Sequence, residues 1–268
     1  MEVLVVGNTA YVDDDFCAKA FPGDHVKVVA AQEARRDESS PHASWKELLQ
    51  HLEQAYEFDR VVYLSNYLTP HTDTVGDIEL LRSVFRTCAG RRVQLLYVAG
   101  PAGAEGAADA AGRTGKGIIA HAANDLCRYY AAREGVQTKI LRVPFLYTAS
   151  AALEDPFLVP LFDACSTGSV ALQGAQDAAF PLLCAEELAV LIRRIFDSWD
   201  ASFETLDVAD AFHHTSGEVG EALKVLFPGL AVAYGDSAGY ALPTDDTVRV
   251  RYGWFQRYDL LRDLSTIQ

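Results

Sequence analysis

The sequence predicts an α/β protein, a doubly wound parallel sheet with helices on both faces and a smaller C-terminal lobe. Three observations carry this expectation. Short apolar runs alternate with amphipathic stretches up to about residue 150. The first run, within residues 2–6, is Val3-Leu4-Val5-Val6, apolar without alternation, as in a strand covered on both faces. The stretches between runs are long enough for right-handed crossovers. At 268 residues the chain has room for one large α/β unit with an appendage.

In order, residues 2–6 give a first strand and Gly7 to Asp13 a turn, leading into a helix that ends near Ala20. Phe21-Pro22-Gly23-Asp24 reads as a turn and His25–Ala30 as a second strand. Glu33–His42 is a polar loop with Pro41; Ser44-Trp45-Lys46-Glu47 has the spacing of a capping box opening a helix to about Tyr56. Asp59–Leu64 is the third strand, Asp77–Cys88 a helix and Val93–Val98 a fourth strand. Residues 99–115 are rich in Gly and Ala and read as a lid-like loop. Gly112 to Tyr130 reads as the end of this loop followed by a long helix that presents Ala122, Ala123, Leu126 and Tyr130 on one face. Gly135 stops it, and Thr138–Arg142 is a buried strand ending in Val143-Pro144.

Residues 1–150 form the main domain in this reading and 151–268 the lobe, with about 185–210 returning to the main domain. The lobe contributes helices at Pro156–Ala164, Ala185–Phe196 and Ser216–Leu226, and strands at Ser169–Leu172 and Phe203–Val208. Thr215/Ser216 introduces the third of these helices.

Composition removes several function classes. A net charge of −14 opposes non-specific nucleic-acid binding. No run approaches the roughly 18–20 apolar residues that span a membrane. The N-terminus enters a strand with no basic leader, so the expectation is a cytoplasmic protein. Five cysteines, Cys17, Cys88, Cys127, Cys165 and Cys184, stand singly, as reduced buried thiols do. His213-His214 is a poor metal pair, because neighbouring side chains diverge and no third ligand is spaced nearby.

Ala122-Ala123-Asn124-Asp125-Leu126 and Arg142-Val143-Pro144-Phe145-Leu146-Tyr147 together resemble the active-site helix and following strand of the extended short-chain dehydrogenase/reductase family, the epimerases and dehydratases of nucleotide sugars. The closing segment, Asp245-Asp246-Thr247 through Gly253-Trp254 to Leu264, is similar too. The resemblance implies a Rossmann-like domain, NAD or NADP as cofactor, and a nucleotide sugar or related carbonyl compound as substrate. It places the cofactor against Gly7, Asn8, Thr9, Ala10, Tyr11, Val12, Leu64, Ser65, Asn66 and Pro144.

Four positions depart from the family. Its glycine turn, Gly-x-x-Gly-x-x-Gly, is here Gly7, Ala10 and Asp13. Asp13-Asp14-Asp15 then either stabilises a helix end that no longer holds a phosphate, or lies beside one cradled by Gly7, Asn8 and Thr9. The family tyrosine and lysine, acid/base and its activator, become Lys116 and Ala120. The serine/threonine site after the fourth strand becomes Ala99, Gly100 and Pro101. The ribose-binding Asp after the second strand is replaced by Ala30, Ala31 and Gln32; Arg35 and Arg36 beyond are either solvated charges or a 2′-phosphate site. Ser65 and Asn66 either line the cleft or close their strand with side-chain bonds.

His121 is a surface histidine or a cleft acid/base, and Lys116 a solvated loop lysine or an amine nucleophile. Family members pair through helices equivalent to about 77–88 and 116–133, which makes a homodimer or a heteromeric partner an expectation; the residues counted as outward are mixed, Leu80, Leu81, Val84 and Phe85 beside Arg82 and Arg86, with core packing on the sheet explaining part of the apolar set. Three functions follow: a non-catalytic binding, regulatory or partner subunit; an active NAD(P)-dependent enzyme with a rearranged site; or non-redox chemistry through Lys116 or His121. The missing tyrosine, lysine and serine, with Asp13, favour the first.

Overall fold

A computed structural model describes residues 1–30, 57–65, 74–100, 115–149, 155, 157–209, 212–239 and 246–265. Six parallel strands form the central sheet: β1 (Glu2–Gly7), β2 (His25–Ala30), β3 (Arg60–Leu64), β4 (Gln94–Ala99), β5 (Gln137–Arg142) and a late strand, β9 (Phe203–Asp207). Their order is β2-β1-β3-β4-β5-β9. The chain therefore adds strands on one side of β1, then crosses to the other. That reversal is where doubly wound sheets open a crevice.

Period-two alternation sends successive side chains to opposite faces. Val3, Val5, Val62, Leu64, Leu96 and Val98 face one core with helix α1 (Asp14–Ala20) and the later helix α5 (Ala185–Asp197). Leu4, Val6, Tyr63, Leu95 and Tyr97 face the other with α2 (Thr74–Cys88) and α3 (Gly115–Glu134). Covered faces explain why these strands read as unbroken apolar runs. Gly135 ends α3 at φ 68°, the left-handed stop its position predicted.

The lobe has its own core, built on β6 (Phe145–Tyr147), α4 (Leu158–Ser166), β7 (Ser169–Ala179), β8 (Leu182–Cys184), α6 (Ser216–Leu226) and α8 (Leu260–Ser265). A tenth strand, β10 (Ala231–Gly239), pairs parallel with β7, and β6 pairs parallel with β8. The sequence reading ended the first lobe strand at Leu172 and anticipated none of β6, β8 and β10. Strands β6 and β8 are only three residues each, and the pairing of β10 with β7 shifts register between Tyr234 and Ser237, across Gly235 and Asp236. The predicted opening of α6 is correct: Thr215 and Glu218 form a full capping box. Helix α5 and strand β9 join the main sheet's packing. The expected capping box at Ser44–Glu47 lies outside the described residues.

Beneath the sheet, α7 (Thr247–Tyr252) meets a lysine buried in β5. Lys139 Nζ donates to Glu204 at 2.8 Å, to Asp200 at 3.1 Å and to the Tyr252 hydroxyl at 3.1 Å, and lies over the Trp199 ring. Burial works to lower its pKa, but the bonds to Glu204, Tyr252 and Asp200 outweigh burial and hold it above the ordinary value. Arg251 completes the group by pairing with the same two carboxylates.

The tightest backbone contact is at Gly7, with φ 110°. A Cβ there would lie 2.2 Å from the Leu64 carbonyl oxygen. Gly7→Ala therefore combines strained backbone with a backbone clash. We expect it to cost about 3 kcal/mol or more, measured by urea denaturation without any ligand; a loss below about 1 kcal/mol would show that the two strands can separate.

Candidate functional site

The carboxyl ends of β1, β3, β4 and β5 meet where the strand order reverses. The Asn8 amide donates to the Leu64 carbonyl at 2.8 Å, Ser65 to Val98 at 2.9 Å and Val143 to Ala99 at 2.9 Å. Gly7, Asn8, Leu64, Ser65, Ala99, Val143 and Pro144 thus share one end of the sheet. Tyr11, nearly buried, donates its hydroxyl to the Leu146 carbonyl at 2.9 Å, tying the first turn to the strand two residues past Pro144. Burial, with Asp155 adding to it, pushes the Tyr11 hydroxyl far above the usual tyrosine range, so it remains a neutral donor.

The turn after β1 satisfies several of its own amides. Asn8 Oδ1 accepts from Ala10 at 3.3 Å, and the Thr9 carbonyl accepts from Val12 at 2.9 Å. Asp13 is the N-cap of α1, its Oδ1 accepting the Phe16 amide at 2.7 Å. Asp14 and Asp15 fill the first helical turn, and Lys19 pairs with Asp15. Three carboxylates therefore crowd the helix end toward which a dinucleotide's pyrophosphate would turn. Ala10 is exposed on this turn, and Thr9 and Val12 are half-buried. With the Asn8, Ala10, Val12 and Phe16 amides already bonded within the protein and three like charges beside them, the turn does not fit a pyrophosphate.

On β3 the polar groups serve the interior. Tyr63 donates to Asp77 Oδ1 at 2.6 Å and Ser65 Oγ to Asp77 Oδ2 at 3.2 Å. Burial first, then Asp77, lifts the Tyr63 hydroxyl well above its ordinary pKa. Ser65 Oγ thus bonds the Asp77 carboxylate, and Asn66 lies outside the described residues. Across the crevice, Asp155 accepts the amides of Thr148, Leu158 and Phe157 at 2.6, 2.7 and 2.8 Å, capping α4. Arg142 and Asp207 pair at 2.6 Å at the ends of β5 and β9.

The catalytic slots are less populated. Ala99 ends β4 and Gly100 follows it, both without a hydroxyl. Ala120 is half-buried on α3. Lys116 falls in the first turn of that helix rather than in a preceding loop, and its side chain lies outside the described residues. His121 is exposed on the helix surface. Pro101, Ala31, Gln32, Arg35 and Arg36 also lie outside the described residues.

On the helix pair, packing on the sheet accounts for the whole apolar row of α2 rather than part of it. Leu80, Leu81, Val84 and Phe85 are at most 2% exposed, packed on the sheet, so this row is spent inside the chain. The outward positions are Glu79, Arg82 and Arg86 on α2 and Asp125, Arg128 and Tyr129 on α3. His214 hydrogen-bonds Asp259 at 2.8 Å while His213 is exposed. Among the described residues no three His, Cys, Asp or Glu side chains are arranged to hold a metal ion. Among the same residues no helix is long and apolar enough to cross a membrane.

The sequence reading passed over Asp77, Asp155 and Glu187, all buried acids. A signal existed for Glu187, which follows Glu186 at the start of an apolar-striped helix where a carboxylate has free amides to meet.

No protein-family model matches the sequence, and no curated protein matches it. Solved structures do. A dTDP-glucose 4,6-dehydratase from Streptomyces venezuelae, with NAD bound, superposes with TM-score 0.71 at 13% identity, over 99% of this chain and 96% of that one. A UDP-glucuronic acid 4-epimerase from Bacillus cereus, in complex with UDP-glucuronic acid and NAD, gives 0.69 at 11% identity over 99% and 97%. A GalE-like L-threonine dehydrogenase from Cupriavidus necator gives 0.63 at 18% over 98% and 96%. The chain has the fold of these proteins over nearly its whole length.

If Asp13 serves as a helix cap, Asp13→Ala lowers stability by about 1 kcal/mol while Asp13→Ser stays within a few tenths. Urea denaturation of the two variants checks this; equal stability of Asp13→Ala and the parent would remove the cap.

Proposed function

We propose that this chain is a non-redox relative of the nucleotide-sugar epimerases and dehydratases, acting as a binding, regulatory or partner subunit. The observation that carries the reading is Asp13. Its carboxylate occupies a helix amide and, with Asp14 and Asp15, sets negative charge against a pyrophosphate. Hydride transfer in this fold needs the cofactor held at that turn and a proton donor near the substrate carbonyl. Ala99, Gly100 and Ala120 stand where the family places a hydroxyl and a lysine. A methyl group can neither donate a proton nor lower a neighbour's pKa.

In this reading α2 and α3 offer a partner face, to a second copy or to a different protein, through polar residues such as Arg82, Arg86 and Arg128. Light scattering of the protein alone separates a homodimer from a subunit that awaits another chain.

The second reading is an active NAD(P)-dependent epimerase or reductase with a rearranged site. It draws on the sheet end itself, where Gly7, Asn8, Pro144 and the lobe keep the family layout. A double variant discriminates the two. Ala10→Gly with Asp13→Gly restores the glycine turn and removes one charge, so we expect NADH affinity to rise at least about tenfold over the parent. Fluorescence titration of NADH reads this directly. An unchanged affinity, or strong binding by the parent, would contradict the role given to Asp13.

A further inference from the structure

The segment from Thr247 to Ser265 crosses from the sheet to the lobe. Helix α7 is anchored under the sheet, where Lys139 meets the Tyr252 hydroxyl and Arg194 Nη1 donates to the Tyr252 carbonyl at 2.9 Å. Helix α8 ends in the lobe core through Leu260 and Leu264. Between them, Gly253–Asp259 has no regular structure of its own and forms a strap. Trp254, 5% exposed, donates Nε1 to the Glu187 carbonyl at 3.1 Å, and Gln256 Nε2 donates to the Leu182 carbonyl at 3.1 Å. The Arg257 amide donates to Glu187 Oε1.

Glu187 is the acid beneath the strap. Its residue is 5% exposed, and its second oxygen, Oε2, is buried with no hydrogen-bond partner among the described residues. A buried carboxylate that satisfies one oxygen only is far costlier ionised than neutral. The groups that face it come from four elements. Arg257 and the Tyr258 amide, both on the strap, favour its ionised form. Asp263 on α8 opposes ionisation, and Tyr147 on β6 feels the same carboxyl while donating to Asp263 at 2.8 Å. On its own helix Glu186 is held by the Cys184 thiol at 2.6 Å.

We propose that Glu187 is a proton-operated latch: neutral, it holds the strap against the sheet unit, and on losing its proton it loosens the strap together with the lobe helix that the strap carries. Burial, the largest influence, raises its pKa from an ordinary 4.5 to about 7. The sign follows from linkage. A carboxyl raised on docking contributes fully below about pH 4.5, and its contribution is lost as pH rises through 7. The displacement corresponds to a docking equilibrium weakened on the order of a hundredfold once the group is ionised. His214–Asp259 is the strap's other titratable anchor and is separable by mutation.

Hydrogen–deuterium exchange of the full-length protein, followed by mass spectrometry and normalised to intrinsic rates, tests this at about pH 6 and about pH 8.5. Peptides covering Gly253–Tyr258 should lose at least about tenfold in protection at the higher pH, while peptides of β3 and β4 keep theirs. Glu187→Gln should abolish the difference, and His214→Asn should preserve it. Equal strap protection at both pH values in the parent overturns the latch. So does a pH dependence that survives Glu187→Gln or disappears in His214→Asn. Should Glu187→Gln not fold, the parent and His214→Asn still decide.

Discussion

The contact on which the site end of this molecule depends is that between Gly7 and the Leu64 carbonyl. No side chain fits between them, since a Cβ would stand 2.2 Å from the oxygen. The closeness lets the Asn8 amide bond Leu64, which fixes β1 beside β3 at the point where the strand order reverses. From that fixed corner the turn sends Tyr11 across to Leu146 and delivers Asp13 to the start of α1. A glycine at this position is therefore required by packing before any ligand is considered. Its presence is no sign of cofactor binding.

Charge separates this turn from a phosphate cradle. A helix end and nearby amides attract anions when they are open to one. Here a side-chain carboxylate has taken the helix amide, side-chain and carbonyl oxygens of the turn have taken others, and two further acids follow. The helix dipole is met here by the protein's own carboxylates. The fold itself rests on two covered sheet faces and a separate lobe core, away from this turn.

Legibility followed the physics. Strands β1, β3, β4 and β5 were readable because both faces are covered and the runs are apolar, and α6 because its cap is local. Strands β6 and β8 escaped because three residues carry too little pattern, and β10 because Gly235 and Asp236 break it. The apolar row of α2 was visible, but its direction only in part: sequence spacing gives a stripe without saying how much of it the sheet covers, and the sheet covers all four residues. Asp13 was readable as an acid at a helix end, and the structure makes it the cap, bonded to the amide of Phe16. Lys139 was invisible as a buried charge, because Asp200, Glu204 and Tyr252 lie 61, 65 and 113 residues away. Glu187 was hidden likewise, its Arg257 partner lying 70 residues on.

The central claim is that the turn after β1 is satisfied by the protein itself and holds no dinucleotide. Isothermal titration of the purified protein with NAD(H) and NADP(H), with thermal shift in parallel, tests it most directly. The account predicts no heat of binding and no stabilisation at roughly millimolar cofactor in a cooperatively unfolding protein. A dissociation constant in the micromolar range for either cofactor would contradict it and return the crevice to the oxidoreductases.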